Sequence, residues 1–204
     1  MAIEIQNNSL GLINSTYIFS VLCGSISTIA VTKSILYQRS DHQTIIPPTI
    51  CYSAEATIEF LSRAGITVLR DQWTEVANGF YVLGRDDSSR NRYNGNKRLE
   101  LSTLMSDLDK NKLPVILMDH QPFNLDISEK EGVDLQFSGH THRGQLFPNN
   151  FITRAIYEQD WGYLRKNNFQ AIVSCGFGTW GPPIRIGNRP EIVNVLVHFA
   201  PAEP

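Results

Sequence analysis

The residues best equipped for chemistry are three of the five histidines, each placed just beyond a run of apolar side chains. His140 and His142 stand one residue apart in Gly139-His140-Thr141-His142-Arg143-Gly144-Gln145, directly after Phe137-Ser138. His120 follows Val115-Ile116-Leu117-Met118-Asp119. Neutral imidazole is the commonest side-chain metal ligand. Gly139 and Gly144 allow the sharp turn that would aim residues i and i+2 in one direction. The loops that follow buried strands are also where α/β folds keep their sites. Together these features point to a divalent-cation site on His120, His140 and His142. His42 and His198 read as bland, His198 as a side chain on the surface of an alternating strand. Cys23, Cys51 and Cys175 are odd in number and share no short spacing, which argues against a disulfide framework or a thiolate zinc site and for small buried hydrophobes.

The elements that must position these histidines follow from periodicity. Ser53 caps a helix with Thr57, Phe60, Leu61 and Ala64 on one face, closed by Gly65. Ile66 to Leu69 reads as a strand. Trp73 to Val76 and Phe80 to Leu83 flank Asn78-Gly79, a hairpin signal. Arg85 to Lys97 is polar and reads as an exposed loop. Leu101, Leu104, Met105 and Leu108 recur at helical spacing. Leu113 to Met118 is a continuous apolar run, as a strand buried on both faces requires. Val133 to Phe137 is a further strand, 147–168 a loop with a short helix, and Gln170 to Cys175 a strand. It ends in the tight turn Gly176-Phe177-Gly178-Thr179-Trp180-Gly181-Pro182-Pro183. Ile184 to Ile186 and Ile192 to Phe199 close the chain as strands. The pattern predicts an α/β layered domain whose later strands form a sheet of their own.

With 204 residues, 42% of them hydrophobic, the chain can bury a sizeable core as one domain with an appendage. A net charge of -2 without runs of either sign gives no nucleic-acid footprint. Residues 1–50 differ in texture from the rest, with no charge between Ile5 and Thr32. The segment 1–36 is long enough to span a membrane but diluted by Ser, Thr and Asn, and it has no basic residues ahead of its apolar part, as a signal peptide would. It reads as a leader, either disordered or a weak membrane segment. Cytoplasmic and membrane-associated locations both stay open.

Beyond Tyr52 the chain resembles the calcineurin-like metallophosphoesterases, in the bacterial branch that often carries an N-terminal membrane part. The resemblance rests on Asp119-His120-Gln121-Pro122, on the His-Thr-His motif with its neighbours, on Gly178 to Arg185, and on Arg63 to Leu69 with Leu83-Gly84-Arg85-Asp86-Asp87. It covers 51–200 and implies an αββα sandwich hydrolysing phosphoric esters across two divalent metals, manganese, iron or zinc. His120 and His140 would hold one metal and His142 the other, with Arg143 and Arg185 near the phosphate, since a guanidinium matches its oxygens. The partner implied is a phosphorylated substrate of open class.

The family's earlier motifs, Asp-x-His, Gly-Asp-x-x-Asp and Gly-Asn-His-Asp or Gly-Asn-His-Glu, do not occur in this sequence, so the catalytic histidine that assists the leaving group is missing. Three imidazoles can hold one zinc with an open position but cannot bridge a metal pair. The expectation is therefore a partial sandwich lacking its first strands, the C-terminal portion of a longer enzyme, binding at most one metal and inactive alone. The alternatives are a pseudoenzyme that binds one metal or a phosphorylated ligand, and a single-zinc hydrolase.

Overall fold

Residues 2–4, 17–23, 26–31 and 34–39 are described as backbone in this computed structural model, together with 58–59, 62–63, 65, 67–87, 98–110 and 112–198. Among the described residues, twelve strands are arranged in two sheets. The first is built from β6 (Gln72–Val76), β7 (Phe80–Gly84), β8 (Val115–Met118), β9 (Leu135–Ser138), β10 (Gly162–Lys166) and β11 (Phe169–Val173), in the order β10-β11-β9-β8-β7-β6. Its four inner strands are parallel and its two edges antiparallel. The second sheet runs β1 (Ala2–Glu4), β12 (Val193–His198), β2 (Tyr17–Cys23), β3 (Ile26–Val31), β4 (Ser34–Arg39) and β5 (Thr67–Val68).

The alternation of side chains along a strand decides how these layers stack. Phe80 and Val82 of β7 turn to one face, where they meet Ile116, Met118, Leu135 and Phe137 and, from the second sheet, Val195 and Val197. Tyr81 and Leu83 turn the other way, onto Leu101, Leu104, Met105 and Leu108. Helix α1 (Leu101–Leu104) carries the first two of these, and α2 (Leu125–Lys130) adds Leu125 to the same core. The order of layers is thus helices, sheet, sheet. The architecture is an α/β sandwich, as the sequence suggests. Every residue of β7, β8, β9 and β11 is buried, which is why β8 reads as an unbroken apolar run, although the buried Gln136 and Gln170 interrupt β9 and β11.

Three parts differ from the reading of the sequence. The leader of 1–50 contributes the backbone of β1 to β4 to the second sheet, so Tyr17–Cys23 is a strand and not a helix. Isoleucine, valine, threonine and tyrosine are frequent there, and such side chains favour extended backbone. No helix among the described residues is long and apolar enough to cross a membrane. The loop expected to be exposed begins with Arg85, Asp86 and Asp87, all buried, and ion pairs to Asp119 and Arg70 draw Arg85 and Asp86 inward. The stretch 147–168 carries, besides helix α3 (Asn150–Ile156), the edge strand β10. Of the helix expected from Ser53, residues 58–59 and 62–63 are helical and Gly65 sits at φ 75°; the others lie outside the described residues, as do His42 and Cys51.

Candidate functional site

Four parallel strands end on the same side of the first sheet, and the chemistry gathers there. The ladder continues past the strand ends: Asp119 N donates to Phe137 O (3.1 Å), Gly139 N to His120 O (2.9 Å) and Ser174 N to Ser138 O (2.9 Å). Adjacent strands β8 and β9 therefore deliver His120 and His140 side by side. Nε2 of His120 lies 3.2 Å from Nδ1 of His140, and the rings meet edge to face with centroids 5.0 Å apart. His120 is buried. Tyr157, just past α3, stands 6.3 Å from His140 between ring centroids and packs on Phe123 at 4.7 Å.

The turn that holds the second histidine is strained. His140, His142, Arg143 and Gln145 have φ of 67°, 48°, 51° and 55°. Left-handed backbone costs an ordinary residue about 1–2 kcal/mol, and such costs persist where surrounding contacts over-determine the conformation. Those contacts are visible. Arg143 N donates to Thr141 Oγ1 (3.1 Å), and that hydroxyl donates to Asp160 O (2.6 Å). Asn188 Nδ2 donates to the carbonyls of His142 and Arg143, both at 3.1 Å. Gln145 is buried, and its amide clamps the glycine- and proline-rich loop: Nε2 donates to Trp180 O (2.7 Å) and Pro182 O (3.2 Å), while Oε1 accepts from Trp180 N (2.5 Å).

His142 turns toward Arg185, whose Nη2 is 3.3 Å from its Nδ1. The imidazole also lies within hydrogen-bonding reach of the carbonyls of Cys175 and Gly178, to which a ring N–H donates. Burial, then the charge of Arg185, then His140 push the imidazole down to about 4, so the ring is neutral at physiological pH. Arg185 itself is engaged by the chain. Its Nη2 donates to the carbonyls of Cys175 (2.8 Å), Gly176 (3.0 Å) and Gly178, and its Nη1 to Asn188 Oδ1 (2.9 Å). Arg143 lies with its guanidinium carbon 3.9 Å above the Trp161 ring. Sequence reasoning put both arginines near a phosphate. In the structure Arg185 fastens the 175–178 turn, and Arg143 stacks on an indole.

Proteins similar to this chain carry one name repeatedly. It is 36% identical over 144 residues to an uncharacterized metallophosphoesterase of Aquifex aeolicus, covering 69% of this chain and 54% of that protein. It is 30% identical over 165 residues to another from Helicobacter pylori, covering 76% of this chain and 42% of that one. Over 90 residues it is 34% identical to a zebrafish transmembrane protein with metallophosphoesterase domain, covering 43% of this chain and 21% of that protein. The chain belongs to the metallophosphoesterase family. It spans about half the length of the first two of these relatives. No family model and no solved structure matches it.

The metallophosphoesterase family implies divalent cations, and the histidine pair can be tested against that. At ring nitrogen to metal distances of about 2.0–2.1 Å, two ligands at a right angle lie roughly 2.9 Å apart, and at a tetrahedral angle roughly 3.3–3.4 Å. The 3.2 Å between His120 Nε2 and His140 Nδ1 falls between these. The separation suits two adjacent positions around one cation, and equally a direct N–H···N hydrogen bond between the two rings. Among the described residues no three His, Cys, Asp or Glu side chains are assembled as a metal-holding group. Asp119, the nearest carboxylate in sequence, is bound instead by Arg85 (3.1 Å) and Arg98 (3.0 Å).

Cys175 lies beside the site but takes no ligand role. Its thiol is buried, with Sγ 3.3 Å from Arg189 O, and burial followed by Glu191 pushes it up to about 11. A thiol held so high is a poor nucleophile. Iodoacetamide at about pH 8 is expected to leave Cys175 unmodified in the native chain and to alkylate it after denaturation. Peptide-level mass spectrometry resolves it from the other two cysteines.

Proposed function

We propose that this chain carries the histidine part of a metal-dependent phosphoric ester hydrolase, with His120 Nε2 and His140 Nδ1 as ligands of one divalent cation. The observation that carries this reading is their 3.2 Å separation at the ends of neighbouring parallel strands. A divalent cation bound there polarises a phosphoryl oxygen and offsets charge that develops on it. The chain's own residues do the rest. The strained turn aims His140, the depressed basicity of His142 leaves it unprotonated for a second cation, and Arg185 and Gln145 hold the 175–183 loop beside the site. Manganese, iron and zinc all suit imidazole donors.

A second reading is favoured by one observation. Only two of the three histidines converge, and among the described residues no carboxylate joins them. In that reading the chain binds one metal, or a phosphorylated ligand, without turnover. Metal titration with manganese and zinc, paired with an aryl phosphate assay, tests both. The hydrolase reading expects bound metal and metal-dependent release of the phenol. One metal per chain without turnover supports the second reading, and no metal at all overturns the assignment of the pair. His140→Ala is expected to weaken cation binding by more than the roughly tenfold to hundredfold that loss of an outer-shell partner costs, because it removes a ligand itself.

A further inference from the structure

Helix α3 has no buried residue, although three of its seven side chains are large and apolar. Phe151, Ile152 and Ile156 are each 57–58% exposed. Their apolar surroundings extend beyond the helix. Phe147 lies 5.9 Å from Phe151 between ring centroids, and its backbone N donates to Ile186 O (2.8 Å). An isolated bridge joins Leu146 to Ile186, and Gln145 holds Trp180 as described. Segments 146–156 and 180–186 thus form one continuous surface, on which Phe147, Ile184, Ile186 and Trp180 are 52–65% exposed. An exposed apolar face of this extent marks an interaction site.

The charges around it are of one sign. Residues 144–157 contain Arg154 as their single charged residue, and 177–190 contain only Arg185 and Arg189. Arg154 and Arg189 are exposed. The acids nearest in sequence are each engaged: Glu158 pairs with Lys166 (2.8 Å), Asp160 accepts from Thr153 of α3 (2.7 Å), and Glu191 accepts from Trp161 (2.9 Å) and from Cys175 N (2.8 Å). Aromatic and isoleucine side chains, with arginines as the charged residues of both segments, match the boundary of an anionic bilayer, where apolar groups enter the acyl region and cations meet lipid phosphates. A second copy of this chain fits less well, because a symmetric pair would set like arginines against each other.

We infer that the face formed by Phe147, α3 and the 180–186 loop docks on an anionic membrane surface. The turn of His142 packs against α3, so docking would hold the histidine site at the lipid headgroups. This goes beyond the hydrolase reading and stands whether or not the chain turns over a substrate. Sedimentation of the full chain with vesicles tests it, using phosphatidylcholine alone and phosphatidylcholine mixed with phosphatidylglycerol. Binding to the anionic vesicles is expected, weakened by salt. Phe151→Ser with Ile152→Ser should abolish it, and Arg154→Ala should weaken it about fivefold, since a surface cation contributes roughly 1 kcal/mol. Ile127→Ser, an exposed change on α2, should leave it intact. Circular dichroism reports whether each variant keeps its fold, and Arg154→Ala alone alters neither core nor turn. Absence of binding to either vesicle overturns the inference. So does binding that these variants do not change, or self-association removed by Phe151→Ser without any vesicle binding.

Discussion

Asp119→Ala is expected to lower the unfolding free energy by about 3–5 kcal/mol, the cost of breaking a buried ion pair by removing one partner. Asp119 is 2% exposed and lies between two guanidiniums, Arg85 Nη1 at 3.1 Å from Oδ2 and Arg98 Nη1 at 3.0 Å from Oδ1. Without the carboxylate, two cations with side-chain exposures of 11% and 13% face each other across the space it leaves. Burial already holds the Arg85 guanidinium below its ordinary value, with Asp119 the largest influence acting against it. Whole domains have stabilities of about 5–15 kcal/mol, so the loss is a large share of the total. Urea unfolding should show a lower midpoint at unchanged slope. Replacing all three residues by apolar ones of similar size should cost less than Asp119→Ala, because no charge is then left stranded. A change within about 0.5 kcal/mol for Asp119→Ala, the scale of an ordinary surface substitution, would show that the triad is not the anchor described.

The histidine before β9 and the histidine after it do not depend on this network for their alignment. Alignment comes from the backbone ladder, Asp119 N to Phe137 O and Gly139 N to His120 O. The histidine pair proposed to bind metal and the charged anchor are therefore separable. In the folded fraction of Asp119→Ala, cation binding at His120 and His140 should persist.

How far the sequence carried depends on which physical signal each part used. Val115 to Met118 is legible because a strand buried on both faces is a continuous apolar run, and Leu135 to Phe137 because its apolar residues alternate around Gln136. Asn78-Gly79 announced the β6–β7 hairpin, although the residues with positive φ are Ala77 and Asn78. The histidine pair was legible as a motif, yet its 3.2 Å contact depends on the parallel neighbours β8 and β9, a tertiary fact. Arg85 to Asp87 was misjudged for the same reason. A charged run looks solvated unless its partners are known, and Asp119 is 34 residues away. Strand β10 was missed because it is an edge with half-buried alternation in which Tyr163 and Arg165 face outward. The two-residue Asn167-Asn168 turn, with Asn167 at φ 53°, was the available signal. Strands β2 to β4 were weighed for membrane character rather than for alternation between turn residues, and a shortage of charge suits a buried sheet as readily as a leader.

Gly144→Ala should be the most disruptive single methyl group near the site, costing about 3 kcal/mol, and should weaken cation binding in the chains that still fold. Two separate penalties act. Gly144 has φ +75°, where a Cβ is disfavoured by roughly 1 kcal/mol or more. That Cβ would also stand 2.3 Å from Asn150 N and 2.4 Å from Asn149 C, backbone atoms that start α3 and cannot rotate aside. Overpacking of this kind costs about 1–3 kcal/mol. Relief requires α3 to move off the 142–144 turn, and α3 leads into Tyr157, which packs beside His140. Gly181→Ala separates the two penalties. Its φ is +66°, but nothing lies within 4 Å of the added Cβ, so only the backbone cost of about 1 kcal/mol applies. The difference between the two variants in unfolding free energy measures the contact of α3 with the histidine turn. If they prove equally destabilised, that contact is not what fixes the turn, and its strain must be held by Thr141, Asn188 and Gln145 alone.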